Sequence, residues 1–198
     1  YRYRDARSQP LKLITEKIIS HSDSSSPKIC RHIHCTDDAR TLARKRMPKI
    51  IFDFVDGAAG SEGGKQLNQT AIESIRLQPR VLVNIDESEL GKNILGYDMG
   101  LPFGIAPMGM CNLTWPNADL MLADEAKHRR IPLCLSTASS TSMEDIFQRS
   151  GDMSWFQLYL NQSVEHSMQM VDRAQKAGYE VLILTVDVPK VARRIRDA

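Results

Sequence analysis

From residue 101 onward, apolar runs of strand length alternate with amphipathic stretches of helical length, which is the pattern of repeated βα units. The pattern predicts strands over 101–106, 132–135, 154–158 and 181–185. It predicts helices over 118–129, 142–149 and 164–176, the last closed by Gly178 in the position a helix-terminating glycine takes. Strands apolar on both faces belong to a parallel sheet covered by helices. Earlier in the chain, Thr36 followed by Asp37 and Asp38 reads as an N-cap with acidic first-turn residues, opening a helix through residue 42 that Met47-Pro48 interrupts. A second helix over 48–55 starts on Pro48 and ends at Gly57-Ala58-Ala59-Gly60. Residues 1–35, with the Ser-rich stretch at 21–28, read as an extension or linker before a domain over 36–198.

Two architectures fit such a pattern: an open doubly wound sheet and the first half of an eight-stranded barrel. Small or polar residues gather at the C-terminal end of each predicted strand, namely Pro107-Met108-Gly109, Ser136-Thr137-Ala138, Gln157 with Tyr159, and Thr185 with Asp187. In a βα barrel those ends converge on one site. A doubly wound nucleotide binder is expected to carry G-x-G-x-x-G after its first strand, and the chain has no such string. The barrel is therefore favoured.

Composition adds boundaries. With 198 residues, 42% hydrophobic and 25% charged, the chain is ordinary globular material, and a net charge of +2 is too mild for a nucleic-acid footprint. No apolar run approaches the ~20 residues that span a bilayer, and YRYRDARSQP at the start lacks the apolar core of a secretory signal. The expectation is a soluble intracellular protein, cytoplasmic or peripheral to a membrane. Of the four cysteines, Cys111 and Cys134 sit in or beside apolar runs and read as buried thiols. Cys30, His32, His34 and Cys35 are zinc-type ligands packed too closely for a usual zinc site, so no metal is expected.

Six strings in one order carry a resemblance: FDFVDGAA at 52–59, LPFGIAPMG at 101–109, WP at 115–116 with Asp119, LSTAS at 135–139, WFQLY at 155–159 and LTVDVP at 184–189. Over residues 36–197 the chain resembles the FMN-dependent 2-hydroxy acid oxidoreductases, which include glycolate and lactate oxidases, and most of all their mandelate dehydrogenase branch. The resemblance implies α/β architecture, about four βα units forming the N-terminal half of a (β/α)8 TIM barrel, preceded by short helices. It implies FMN as cofactor and oxidation of a small (S)-2-hydroxy acid, mandelate- or lactate-like, to the 2-oxo acid. Pro107, Met108 and Gly109 would lie against the flavin edge, and Ser136, Gln157 and Thr185 would hydrogen-bond its pyrimidine side. Tyr159, Arg194 and Phe54 match the substrate contacts, and Tyr159 and Asp187 the catalytic set, Asp187 orienting the base histidine. A homo-oligomer, tetrameric in the family, and an acceptor that is oxygen, a quinone or a cytochrome are also implied.

Two departures stand out. Phe54 occupies a position where the family carries a tyrosine, which removes a hydroxyl donor. The chain also ends at Ala198, and none of the five histidines (His21, His32, His34, His128, His166) falls at a predicted strand end. This chain alone is therefore expected to be inactive. Two other readings stay open, a non-catalytic half barrel that binds flavin or a partner, and a doubly wound nucleotide-binding module. Taken singly, Ser136 or Thr185 could be a helix N-cap, Gln157 and Tyr159 satisfied core polar residues, and Arg194 part of a solvated loop.

Overall fold

A computed structural model describes residues 33–84, 89–160, 163–187 and 192–197. The chain divides into two compact units, 1–47 and 48–198. Most of the predicted linker, and Cys30 and His32 of the cysteine-histidine cluster, lie outside the described residues. In the first unit, helix α1 (Thr36–Arg46) has acidic residues in its first turn and Arg44, Lys45 and Arg46 in its last, complementing the helix dipole. Its N-cap is Cys35 rather than Thr36, because Asp38 reaches back to accept a 3.0 Å bond from the His34 amide and starts the helix one residue early. The helix also runs past residue 42 to Arg46 and stops where Met47 turns extended ahead of Pro48.

In the second unit, α2 (Lys49–Asp56) follows Pro48 as its N-cap and buries Phe52 and Asp53. Gly57 closes it. A Cβ there would stand 2.5 Å from the Asp53 carbonyl oxygen, so no other residue fits without displacement. Helix α3 (Gly63–Glu73) buries none of its residues, and a hairpin joins β1 (Lys92–Ile94) to β2 (Tyr97–Met99). Its two-residue turn, Leu95-Gly96, has φ of +54° and +88°, the turn geometry that suits strand twist.

The predicted alternation then appears. Strands β3 (Leu133–Ser136), β4 (Ser154–Tyr159) and β5 (Leu182–Thr185) form a parallel sheet in that order. They alternate with α4 (Ala118–Arg129), α5 (Met143–Ser150) and α6 (Val164–Ala177). Ser142 caps α5 by accepting from the Asp145 amide, and Gly178, at φ +106°, ends α6. Leu133, Leu135, Phe156 and Leu158 pack on Ala123, Ala126, Ile146 and Ala174, the alanines letting helix backbones approach the sheet.

The predicted strand at 101–106 is a correction. It contributes one parallel bridge, Ile105 with Leu133, held by bonds of 2.8 Å from the Ile105 amide to Pro132 O and 3.0 Å from the Cys134 amide to Ile105 O. The next ladder bonds would need amide donors at residue 107 on one side and residue 132 on the other, and both are prolines, so the ladder stops after one bridge. Among the described residues the sheet therefore has three strands and one bridged neighbour, and Leu182 and Leu184 on β5 stay 47% and 46% exposed.

Candidate active site

The predicted strand-end residues meet. Side chains alternate across a strand, so Phe156 and Leu158 enter the helix-covered core while Gln157 and Tyr159 face the other side. Gln157 is 1% exposed and stands beside Ser136 in register. Ser136 Oγ lies 3.1 Å from Gln157 Oε1, and Gln157 Nε2 donates to Thr185 Oγ1 at 2.8 Å. One hydrogen-bonded line thus crosses the C-terminal ends of β3, β4 and β5. Ser136 is not a helix cap, since Ser142 fills that role. Gln157 is a satisfied polar residue and part of the strand-end line at once.

Thr137, which the sequence marks as a strand-end residue without a role, fixes this line. Its Oγ1 donates to Gln157 O at 2.6 Å and accepts from the Tyr159 amide at 3.2 Å, and its own amide lies 3.3 Å from Gln157 Oε1. Tyr159 itself is 43% exposed, and Asp187 is exposed two residues beyond β5. The turn at 107–109 lies against the loop after β3. The Met110 amide donates to Ala138 O at 3.0 Å, and a Cβ on Gly109 would meet the Ala138 methyl at 3.1 Å, so glycine permits the close approach. Pro107 and Met108 are exposed beside it.

A second cluster forms at the end of α2. Arg194 stacks its guanidinium over Phe54, 5.2 Å from the ring centroid, and Nη2 donates to the carbonyls of Phe54, Asp53 (3.4 Å) and Gly57 (3.1 Å). Arg194 is thus half-buried and bound rather than part of a solvated loop. Arg196 pairs with Asp53, with Asp56 at 2.8 Å and with Glu62 at 3.3 Å. The Lys49 ammonium first, and Arg196 next, hold the Asp53 carboxyl below its ordinary range. In the sequence Arg196 stands only as the last residue of Arg193-Arg194-Ile195-Arg196, and its acidic partners come from a segment about 140 residues away.

The C-terminal strand ends and the α2 cluster coincide with the segments a family model recognises. Residues 43–198 match the FMN-dependent dehydrogenase family. The chain belongs to that family. Its cofactor is FMN. (S)-Mandelate dehydrogenase of Pseudomonas putida is 37% identical over 161 residues, 81% of this chain and 41% of its own length. L-lactate dehydrogenase of Pseudomonas syringae pv. syringae is 33% identical over 84% of this chain and 44% of its own. The crystal structure of a soluble mutant of the membrane-associated (S)-mandelate dehydrogenase of P. putida superposes with a TM-score of 0.77 at 40% identity, covering 81% of this chain and 46% of that one. The chain spans less than half the length of these relatives. Among the described residues no helix is long and apolar enough to cross a membrane, and no cluster of three or more His, Cys, Asp or Glu is placed to hold a metal ion.

Proposed function

We propose that these residues form the first half of the flavin and substrate site of an enzyme that oxidises a small (S)-2-hydroxy acid to the 2-oxo acid. The observation that carries this reading is the Ser136–Gln157–Thr185 line across three adjacent strand ends. Its donor chemistry fits FMN. Gln157 Nε2 has two protons and directs one to Thr185, and Thr185 Oγ1 accepts there while keeping a proton of its own. Such neutral donors suit the carbonyl oxygens and unprotonated ring nitrogens of a pyrimidine edge, and the 107–109 backbone would lie alongside the ring. FMN, when bound, supplies the acceptor for the two electrons that leave the hydroxy acid.

The chain's own residues then bind and orient. The second Gln157 Nε2 proton and the Thr185 hydroxyl would be donors that favour negative charge developing against them, while Ser136, donating to Gln157 Oε1, would hold that amide in orientation. Tyr159, exposed at the C-terminal end of β4, would touch substrate, and Arg194, stacked on Phe54, would meet its carboxylate. Asp187 would orient and charge a base histidine supplied from outside these 198 residues. A cytoplasmic or membrane-peripheral location and a homo-oligomer complete the proposal.

The test uses a polypeptide extended over the length of the relatives. Anaerobic (S)-mandelate or (S)-lactate should bleach its flavin, and Gln157→Ala should weaken FMN binding. Flavin that binds and is never bleached by any 2-hydroxy acid would instead support the non-catalytic half barrel. Tight NAD binding without flavin would support the nucleotide-binding module. The 198-residue chain alone should turn over neither acid, because a general base must lie within hydrogen-bond reach of the proton it takes.

A further inference from the structure

Asp119 is 4% exposed in the first turn of α4, away from the strand-end line, and one of its oxygens gathers three hydroxyls. Oδ2 accepts from Ser139 Oγ at 3.1 Å, Thr141 Oγ1 at 3.1 Å and Ser140 Oγ at 3.4 Å. All three belong to the loop that leaves β3 immediately after Ser136. A carboxylate has no proton to offer, so it fixes each hydroxyl as a donor and leaves each free to accept.

Each does accept. Ser139 Oγ takes the Thr141 amide at 3.1 Å, Ser140 Oγ the Asn112 amide at 3.4 Å, and Thr141 Oγ1 the Asn112 Nδ2 at 3.0 Å. Asn112 Oδ1 in turn accepts from the Asp119 amide at 3.4 Å. Asn112 lies three residues after Gly109, in the turn Cys111–Leu113, whose Cys111 thiol donates to Met108 O at 3.6 Å. Asp119 therefore sets the hydrogen-bond direction of a network with one end on the 107–109 turn and the other on the Ser136 loop. Those segments touch directly where the Met110 amide meets Ala138 O.

We propose that Asp119 is a positioning residue that locks these two loops together and thereby sets the geometry of the flavin cradle. The proposal rests on the flavin reading of 107–109 and Ser136 given above. In this partly buried network the carboxylate matters through its acceptor-only character and charge, which a side chain of equal volume does not reproduce.

The experiment compares Asp119→Asn, Thr141→Val and Ser136→Ala in the polypeptide extended to the relatives' length. FMN titration of the apoprotein and the visible flavin spectrum are read well below each variant's melting temperature. Asp119→Asn, which keeps size but puts donors among donors, should weaken FMN binding about tenfold and shift the spectrum, lowering kcat more than it raises KM. Thr141→Val, which deletes one of the three donors, should weaken binding about threefold. A purely structural Asp119 would lower the melting temperature and leave FMN affinity and spectrum of the folded protein alone. That result overturns the proposal. If Asp119→Asn does not fold, Thr141→Val decides in the same way, wild-type affinity and spectrum overturning it. Ser136→Ala separates the two levels: if it leaves flavin affinity and spectrum unchanged, the flavin reading of this loop falls and the proposal with it. If it changes them and Asp119→Asn does not, only the positioning role is lost.

Discussion

The guanidinium of Arg194 lies 5.2 Å above the ring of Phe54 while its Nη2 is bonded to carbonyls at the end of α2, so two residues 140 positions apart form one rigid corner. In the function proposed above, this held planar cation is the group that meets the substrate carboxylate. Because that carboxylate is common to all 2-hydroxy acids, Arg194→Met in the extended protein should lower kcat/KM for mandelate and lactate alike. Substrate ranking should not move. A variant that reorders substrates without lowering kcat/KM places Arg194 outside the carboxylate site.

Phe54 offers the complementary experiment. Phe54→Tyr keeps the ring under Arg194 and adds a hydroxyl donor where the family carries one. Substrate binding should tighten by about one hydrogen bond, roughly 0.5 to 1.5 kcal/mol. An unchanged or raised KM would remove Phe54 from the substrate pocket.

Cys111 and Cys134 are buried, and burial pushes both thiols up to about 11. A thiolate is the reactive form, so at pH 8 iodoacetamide should label the exposed Cys35 while Cys111 and Cys134 stay protected in the folded protein. The linkage has a definite sign. The folded state holds these protons more tightly than the unfolded chain, whose thiols ionise near 9, so the stabilising contribution is complete below pH 9 and is lost as pH rises towards 11. Cys111→Ser and Cys134→Ser should each flatten the fall in melting temperature over that window. A slope as steep as wild type in both single variants would count against buried thiols as its source.

Gly178 is a sharper structural test. Its φ of +106° is a conformation L side chains rarely adopt, and a Cβ would stand 2.4 Å from Cζ of Phe147, a ring that packs on Tyr179 at 5.5 Å between centroids. Gly178→Ala must both strain the backbone and displace that ring. Together these should cost about 1–3 kcal/mol, read as a lowered melting temperature in the extended protein. A neutral effect would mean that α6 does not end in this left-handed turn.

What could be read in advance follows from where the information lies. Helix α6 was legible to one residue at its end because the Ser163 cap and Gly178 are local signals, and α4 was legible to the residue although Asn117 makes no side-chain cap and Arg130 takes the left-handed position at its end. Ser136, Gln157 and Thr185 were legible as strand-end residues because strand periodicity is local too. The hairpin at 92–99 escaped because its strands have only three residues each, and α3 escaped because it buries no face that periodicity could reveal. The failed strand at 101–106 was apolar enough, but Pro107 and the facing Pro132 remove the donors a ladder needs. Thr137, Asp119 and Arg196 act through partners that only the fold brings near.

The sheet itself makes the last prediction. Among the described residues β5 pairs only with β4, and on the face it shares with Phe156 and Leu158 it leaves Leu182 and Leu184 nearly half exposed, followed by Val186 at 79%. A groove of about 530 Å³ runs beside it, lined by Phe156, Val171, Tyr179 and Leu182. An unpaired parallel edge with apolar side chains is a template for another strand. On the opposite side only Ile105 bridges to β3, so the sheet is thinly closed there as well. The 198 residues expressed alone should therefore dimerise, aggregate or bind a complementary half. Light scattering at micromolar concentration reads the outcome directly. A monomer of 22.3 kDa that unfolds cooperatively would show that β5 needs no neighbour, and would favour an open sheet over half of a barrel.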